Sequence, residues 1–444
     1  MRPPRFSDFQ RWRRIRLRDR EFIERFWASS PVPWEQRHTE EWWIRECLHL
    51  RRASHSLGFA IEVDGLFSGQ CTLTDLDPDA RSAEMGIWMD SALGGMRVGS
   101  LALAMVADHA FGALGLHRIT APISCDNEPA ARAVRRAGLV HEATMRAYFD
   151  VGGCPKDHAL WAVTADTAPP GGFVVTLSIP GMPPRGRPRP VSDRLPSVVA
   201  IVTTARFFAG SVKGRVLSHL SSGRQESVAG RLDDDSTFVL TPLSPREAQH
   251  HRNGQLSPRG RSLARRGCGN GLQPADLRAG RALAFRVVSG GIALGHVALE
   301  GLDAVRGNAV LRVESETYEP HTALVSATTT LMLHGFRDLG LRRIQTEIDP
   351  DDPLATSFAA AAGLEFEGRM SGIRTETGSF GVRELWAAVA DTAAPAAVTH
   401  TAGAEPGDVK AQDILPTPYG TGTTEGSCDD GKSGVTRGRD HLRG

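Results

Sequence analysis

"LGLHRITAPISCDNEPAARAVRRAGL", residues 114–139, decides how this chain folds. The run before it, "VGSLALAMVADHAFGALG" (98–115), is an apolar-faced helix that Gly115 can end. "HRITAPIS" (117–124) then reads as a strand. "DNEPAARAVRRAG" (126–138) reads as a second helix, with Asp126 or Asn127 as its cap, Pro129 in its first turn and Gly138 after its end. Helix, strand and helix in immediate succession put helices on the face of a sheet. Upstream, "GFAIEVDG" (58–65) and "FSGQCTLTDL" (67–76) alternate as a hairpin around an Asp64-Gly65 turn. "AEMGIWMD" (83–90) is a further strand, while "EEWWIRECLHLRRA" (40–53) and residues 8–27 read as helices. Downstream, "HALWAVTAD" (158–166) closes the pattern as a strand. The fold class is α/β.

The same pattern is spelled twice. "HAFGALGLHRI" (109–119) returns as "HGFRDLGLRRI" (334–344), identical at seven of eleven positions and 225 residues later. "LWAVTADTA" (160–168) returns as "LWAAVADTA" (385–393), and "RAGLVHEATM" (136–145) as "AAGLEFEGRM" (361–370). "IEVDGLFSGQCTL" (61–73) pairs with "RVVSGGIALGHVAL" (286–299) after about one residue of slippage. "RPPRFSDFQRWR" (2–13) resembles "TPLSPREAQHHR" (241–252) at an offset of 239. A near-constant offset over so long a span predicts a duplicated domain. The expected division is one domain at 1–168, a Pro/Gly/Arg-rich linker with short elements at 169–236, a second domain at 237–393 and a disordered tail at 394–444.

Composition excludes several classes. At 444 residues, with 41% hydrophobic and 23% charged side chains, the chain reads as globular, soluble and multidomain. A net charge of +1 gives no global pull to nucleic acid or membrane, and neither is expected as a partner. No apolar run reaches membrane-spanning length. The Arg-rich start has no apolar stretch, so it is not a secretory signal. Six scattered cysteines with no CxxC pair suggest neither a metal site nor a disulfide framework, and a cytoplasmic location is expected.

The order of elements resembles the GCN5-related N-acetyltransferases (GNAT), in the RimJ/RimL-like branch of ribosomal-protein alanine and serine N-acetyltransferases. "RPPRFSDFQRWRRIR", "AEMGIWMD", "LGLHRITAPISCDNEPAARAVRRAGL" and "YFDVGGCPKDHALWAVT" carry the resemblance across nearly all of residues 1–168. It implies two tandem folds, each a mixed, mostly antiparallel sheet flanked by helices. The family's strand before the first helix is mostly missing from the first copy. The resemblance also implies acetyl-CoA as donor substrate and an amine as acceptor, either a protein N-terminus or a small amine. A free amine held against a thioester can attack it directly. A backbone N–H on the "AEMGIWMD" strand, around Ile87 and Trp88, would act as the oxyanion donor. The following loop and helix N-terminus would hold the pyrophosphate.

The family's loop reads Gln/Arg-x-x-Gly-x-Gly/Ala. Here it is Ala92, Leu93, Gly94, Gly95, Met96 and Arg97, with Gly99 and Ser100 as further N–H donors. Gly95 keeps the first glycine, but Arg97 replaces the second. Positive φ at Arg97 would cost about 1–2 kcal/mol, against which a charged hydrogen bond to phosphate could act. Glu84 is the candidate general base, or else an exposed strand carboxylate. Asn127 is a helix cap, a coenzyme contact or both. The family's usual general-acid positions hold Ala130 and Val134, which leaves Tyr148, His141 or water. Trp12, Trp27, Trp34, Trp42 and Trp43 gather in the N-terminal helices, where most pack and one or two could line the acceptor slot. Arginines 11, 13, 14, 16, 18 and 20 form a solvated helix face, or steer an acidic partner or ribosomal RNA, though Asp19, Glu21 and Glu24 weigh against steering.

The second copy keeps the scaffold and loses the chemistry. Glu84 aligns with Ala309, Asn127 with Asp352 and Gly95 with Pro320, while Glu316 and Glu319 would repel a pyrophosphate. The expectation is an acetyltransferase active through its first copy, with the second packed on it as an intramolecular pseudo-dimer, or a homodimer of chains. The alternative is a silent scaffold of the same fold.

Overall fold

A computed structural model describes residues 1–30, 32–52, 55–151, 154–177, 197–204, 206–207, 227–231, 237–244, 247, 261–264, 276–277, 279–303, 307–317, 322–375 and 378–390. Most of the expected linker, the expected tail, Glu319 and Pro320 lie outside them. The first half runs α1 (Phe9–Arg18), α2 (Arg20–Ile23), α3 (Glu40–Arg52), β1 (Leu57–Val63), β2 (Leu66–Asp77), β3 (Ser82–Met89), α4 (Val98–Gly112), β4 (Arg118–Ser124), α5 (Glu128–Arg136), β5 (Val140–Val151), β6 (Cys154–Thr164) and α6 (Phe173–Thr176). The second half runs β7 (Val228–Arg231), β8 (Thr237–Pro242), β9 (Arg261–Ala264), β10 (Ala282–Ser289), β11 (Ile292–Asp303), β12 (Asn308–Ser315), α7 (Thr322–Arg337), β13 (Arg343–Ile348), α8 (Pro353–Ala361), β14 (Glu365–Arg374) and β15 (Phe380–Val389).

The helix–strand–helix reading of residues 98–138 matches α4, β4 and α5. Asn127 caps α5, accepting from the Ala130 amide at 3.2 Å, and Gly138 follows its end at φ +93°. α4 and α5 bury an apolar layer on one face of the sheet. That layer includes Leu73, Ala83, Met85, Leu103, Ala107, Ile119, Val134 and Trp161. On the opposite face α1 and α3 pack Trp12, Ile15, Trp43 and Cys47 onto Ala60 and Phe67.

The strands join into one sheet in the order β1-β2-β3-β4-β6-β5-β14-β15-β13-β12-β11-β10-β8-β7, with β9 off this path on β12. Among the described residues only β3–β4 and β12–β13 are parallel. The sequence predicts a sheet for each half; the structure fuses them where β5 meets β14, with Ala143 opposite Gly368. These two positions are themselves 225 apart. A Cβ on Gly368 would lie 2.3 Å from the Glu142 carbonyl oxygen and 2.5 Å from the Ala143 Cβ, so the close approach requires glycine there.

Contacts across this seam come in matched pairs. Arg118 binds Glu142 and donates to the Ser371 carbonyl; 225 residues later Arg343 binds Glu367 and donates to the Arg146 carbonyl at 2.9 Å. Glu142 accepts from the Ser371 amide at 2.9 Å, and Glu367 from the Arg146 amide at 3.1 Å. When residue i touches j and the counterpart of j touches the counterpart of i, the packing is isologous, as across a two-fold axis. One cysteine departs from expectation: Cys154 is disulfide-bonded. Among the described residues no helix is long and apolar enough to cross a membrane.

Candidate active site

β3 and β4 pair over three rungs only, Ser82–Arg118, Ala83–Ile119 and Glu84–Thr120. Beyond them β4 stays with β6 and β3 stays with β2, so the two strands diverge. Glu84 sits on the last rung, at the apex of this opening. Ile87 and Trp88 lie beyond it, along an edge of β3 that is free among the described residues. Strand alternation puts Glu84 on the face opposite Ala83 and Met85, and therefore opposite α4 and α5.

The loop from β3 to α4 is braced from the first helices. Asp90 accepts from the Ala92 amide at 2.9 Å. Asp19 accepts from the Ser91 amide and hydroxyl, each at 2.8 Å, and Arg18 bridges Asp19 and Asp90. Burial pushes the Asp19 carboxyl up, but the bonds from Arg18 and Ser91 outweigh it and hold Asp19 below its ordinary value. Gly95 has φ +78°, and Arg97, which precedes α4, has φ +61° and ψ +6°. Arg97 therefore holds a left-handed backbone, the conformation whose cost a side chain raises at this position. A Cβ on Gly94 would sit 3.0 Å from the Ser91 carbonyl oxygen, and one on Gly99 3.1 Å from the Met89 sulfur. The start of α4 is therefore pressed against the end of β3. Ser100 is buried there, and α4 has no acidic side chain in its first turn. A free strand edge leading to uncompensated helix amides suits an extended, amide-bearing chain that ends in an anion.

Ile87, Trp88, Gly94, Gly95, Arg97, Gly99 and Ser100 are brought together in this way, with Glu84 at the apex. Tyr148 is not. β4 and β6 lie between β3 and β5, so its backbone is three strand spacings, roughly 14 Å, from β3. Its ring packs on Phe149, His158 and the Arg343 guanidinium at the seam. Asn127 performs its cap role on α5, where its Oδ1 is engaged.

Sequence reasoning missed a polar group on the Glu84 face. Gln70 donates to Glu46 at 2.8 Å, and Trp88 Nε1 donates to the Gln70 carbonyl oxygen at 3.3 Å. Burial pushes the Glu46 carboxyl up, against the pull of Gln70 and Arg16. Alternation along β2 places Gln70, Thr72 and Thr74 on one face and was the available signal; nothing in the sequence pointed to Glu46. The N-terminal tryptophans pack: Trp12, Trp34 and Trp43 are at most 2% exposed. Of the N-terminal arginines, Arg16 is buried and Arg11 half-buried, while Arg13, Arg14, Arg18 and Arg20 are exposed. The Arg16 guanidinium carbon lies 4.1 Å from the Trp27 ring, 4.7 Å from Trp34 and 5.0 Å from Trp88. Arg11 donates to the Phe67 carbonyl and Arg13 to that of His38.

In the second half the register corrects one alignment. Thr120 faces Glu84, and its counterpart Gln345 faces Val310, so Glu84 corresponds to Val310 rather than Ala309. The one-residue slip that the sequence shows upstream persists through β12. Asp352 caps α8, accepting from the Leu354 and Ala355 amides at 3.1 and 3.0 Å.

The family model described as "Acetyltransferase (GNAT) domain" matches residues 1–140. Mycobacterium smegmatis RimJ, solved in complex with CoA-disulfide, is 36% identical over 40% of this chain and 86% of its own, with a TM-score of 0.39. The chain belongs to the GNAT acetyltransferase family. Its chemistry is acetyl-CoA-dependent N-acetylation. Two further structures are similar to this acetyltransferase. The ribosomal-protein-S5-alanine acetyltransferase of Vibrio fischeri is 22% identical over 38% of this chain and 94% of its own, with a TM-score of 0.34. The spermidine N-acetyltransferase of Vibrio cholerae, in complex with CoA and spermine, is 17% identical over 37% and 95%, with a TM-score of 0.33. No curated protein matches the chain.

Proposed function

We propose that residues 1–168 acetylate a protein N-terminal α-amine, with Glu84 as the proton acceptor. The position of Glu84 carries this reading. It stands at the apex of the β3–β4 opening, on the face away from α4 and α5. The loop and helix start that suit the donor's pyrophosphate lie at the far end of the same strand, so an amine arriving over the Glu84 face meets the donor at β3. The proton task is light for an α-amine, whose reference pKa of about 7.7–8.0 leaves roughly a tenth neutral at pH 7. A lysine-type amine at about 10.4 is almost wholly charged and would need a stronger base. The 36% identity to RimJ favours a protein acceptor over a polyamine.

In this reading residues 237–393 serve as the first half's built-in partner, held across the matched seam contacts. Residues 169–236 link the halves, and residues 394–444 extend beyond the second. The test is steady-state acetylation of three acceptors: a peptide with a free N-terminus, the same peptide blocked there but carrying lysine, and spermidine. The free N-terminus should be preferred at least tenfold in kcat/KM, and Glu84→Gln should remove most of that activity with little change in the Kd for acetyl-CoA. Equal use of the blocked lysine peptide would overturn the acceptor assignment, and full activity of Glu84→Gln the role of the carboxylate.

A further inference from the structure

In the second half, one short strand stands where, among the described residues, the first half leaves a strand edge free. β3 has two edges. β2 covers one, and β4 covers the other at Ser82–Glu84 only. β12 repeats this layout. β11 covers one edge, and β13 covers the other at Asn308–Val310 only. Beyond that point β12 is paired again: β9 runs antiparallel to it, with Val313 opposite Ala264, Glu314 opposite Ser262 and Ser315 opposite Arg261. β11 already takes the other edge at Gly295–Val297, so β9 lies on the β13 side, inside the opening.

The register identifies the place. Gly69 faces Met89 in the first half, and Gly295 faces Ser315 in the second. Val313, Glu314 and Ser315 are therefore the counterparts of Ile87, Trp88 and Met89. Leu263 of β9 is 1% exposed and belongs to the second half's apolar core, and the strand packs against α8 as well as β12 and β13. A polypeptide strand offers its partner backbone amides at regular spacing, as any extended amide-bearing chain would.

We infer that the second cleft is a strand-binding groove, filled in cis by Arg261–Ala264, and that it admits no coenzyme. The inference rests on the assignment of Ile87 and Trp88 to the donor in the first half. It gives the divergent residues of the second half a second role: once a strand of the same chain fills the cleft, no phosphate loop is needed. Tethering raises the strand's effective concentration to roughly the millimolar range, which favours it over a free competitor.

The test is hydrogen exchange on the full chain, with and without coenzyme A, together with calorimetric titration of coenzyme A. The amides of Val313–Ser315 should exchange slowly without coenzyme A and be unchanged by it, while those of Met85–Met89 slow on its addition. Leu263→Asp should speed exchange at 313–315 about tenfold, the effect of roughly one net backbone hydrogen bond. Ser262→Pro, which removes one backbone donor, provides the same readout should Leu263→Asp fail to fold. Titration should give one coenzyme A per chain. Slowing at 313–315 on addition of coenzyme A, or a stoichiometry of two, would overturn the inference. Slow exchange at 313–315 with no response at 85–89 would support the filled groove and sink the donor assignment of the first half.

Discussion

Replacing Arg97 separates backbone strain from side-chain chemistry in the loop between β3 and α4. Arg97 is exposed and adopts φ +61° and ψ +6°. A non-glycine residue in this region costs about 1–2 kcal/mol. Glycine removes that cost but adds about 0.4–1 kcal/mol of unfolded-state entropy. Arg97→Gly should therefore exceed Arg97→Ala in stability by about 0.5–1 kcal/mol, since both lack the guanidinium and differ only in tolerance of positive φ. Urea unfolding of the two variants measures this difference. Coenzyme titration of the same pair measures the other half of the trade. If the guanidinium offsets its strain by pairing with the pyrophosphate, both variants should bind acetyl-CoA several-fold more weakly than the parent. Arg97→Gly no more stable than Arg97→Ala would refute the strain argument. Tighter binding by Arg97→Gly alone would mean that the arginine crowds the phosphate instead of holding it.

Three further outcomes follow from the same geometry. Asp19→Asn should loosen the loop between β3 and α4, because Asp19 holds the Ser91 amide and hydroxyl while paired with Arg18; a coenzyme Kd unchanged by the substitution would show that the proposed donor loop needs no brace. Arg343→Ala should cost up to about 3 kcal/mol of stability, since it leaves the buried Glu367 carboxylate (2% exposed) only the Arg146 amide and a longer ion pair with Arg146 at 3.4 Å; denaturant unfolding with a loss under 1 kcal/mol would show that the seam pair is dispensable. His38 is 1% exposed, and burial, helped by the charge of Arg16, holds its pKa at about 3. A lowered histidine pKa means the unfolded chain takes up the proton first, so stability is intact above about pH 6.5 and falls below it, by about 2 kcal/mol at pH 5. A urea midpoint that stays flat between pH 7 and pH 5 would contradict this.

The sequence by itself determined the local elements and their repetition. The apolar face of α4, the strand at Arg118–Ser124 and the Asn127-capped α5 are written in neighbouring residues, because helix caps and strand alternation depend on side chains a few positions apart. The Gly-rich turn after β3 was legible for the same reason: Gly95 and Arg97 are two residues apart, and both have positive φ. What joins distant segments was not legible. Glu46 meets Gln70 only because α3 folds across β2, and Tyr148 stands three strands from β3 because β4 and β6 come between them. The seam was open as well. Repetition at an offset of 225 allows two separate sheets as readily as one, and the choice falls to Gly368, whose missing Cβ lets β14 close on β5 beside the buried pairs Arg118–Glu142 and Arg343–Glu367. The filling of the second cleft lay furthest from the sequence. β9 is four residues long and some fifty positions from its partner on β12, and its place depends on backbone pairing with an edge that exists only once the second half has folded.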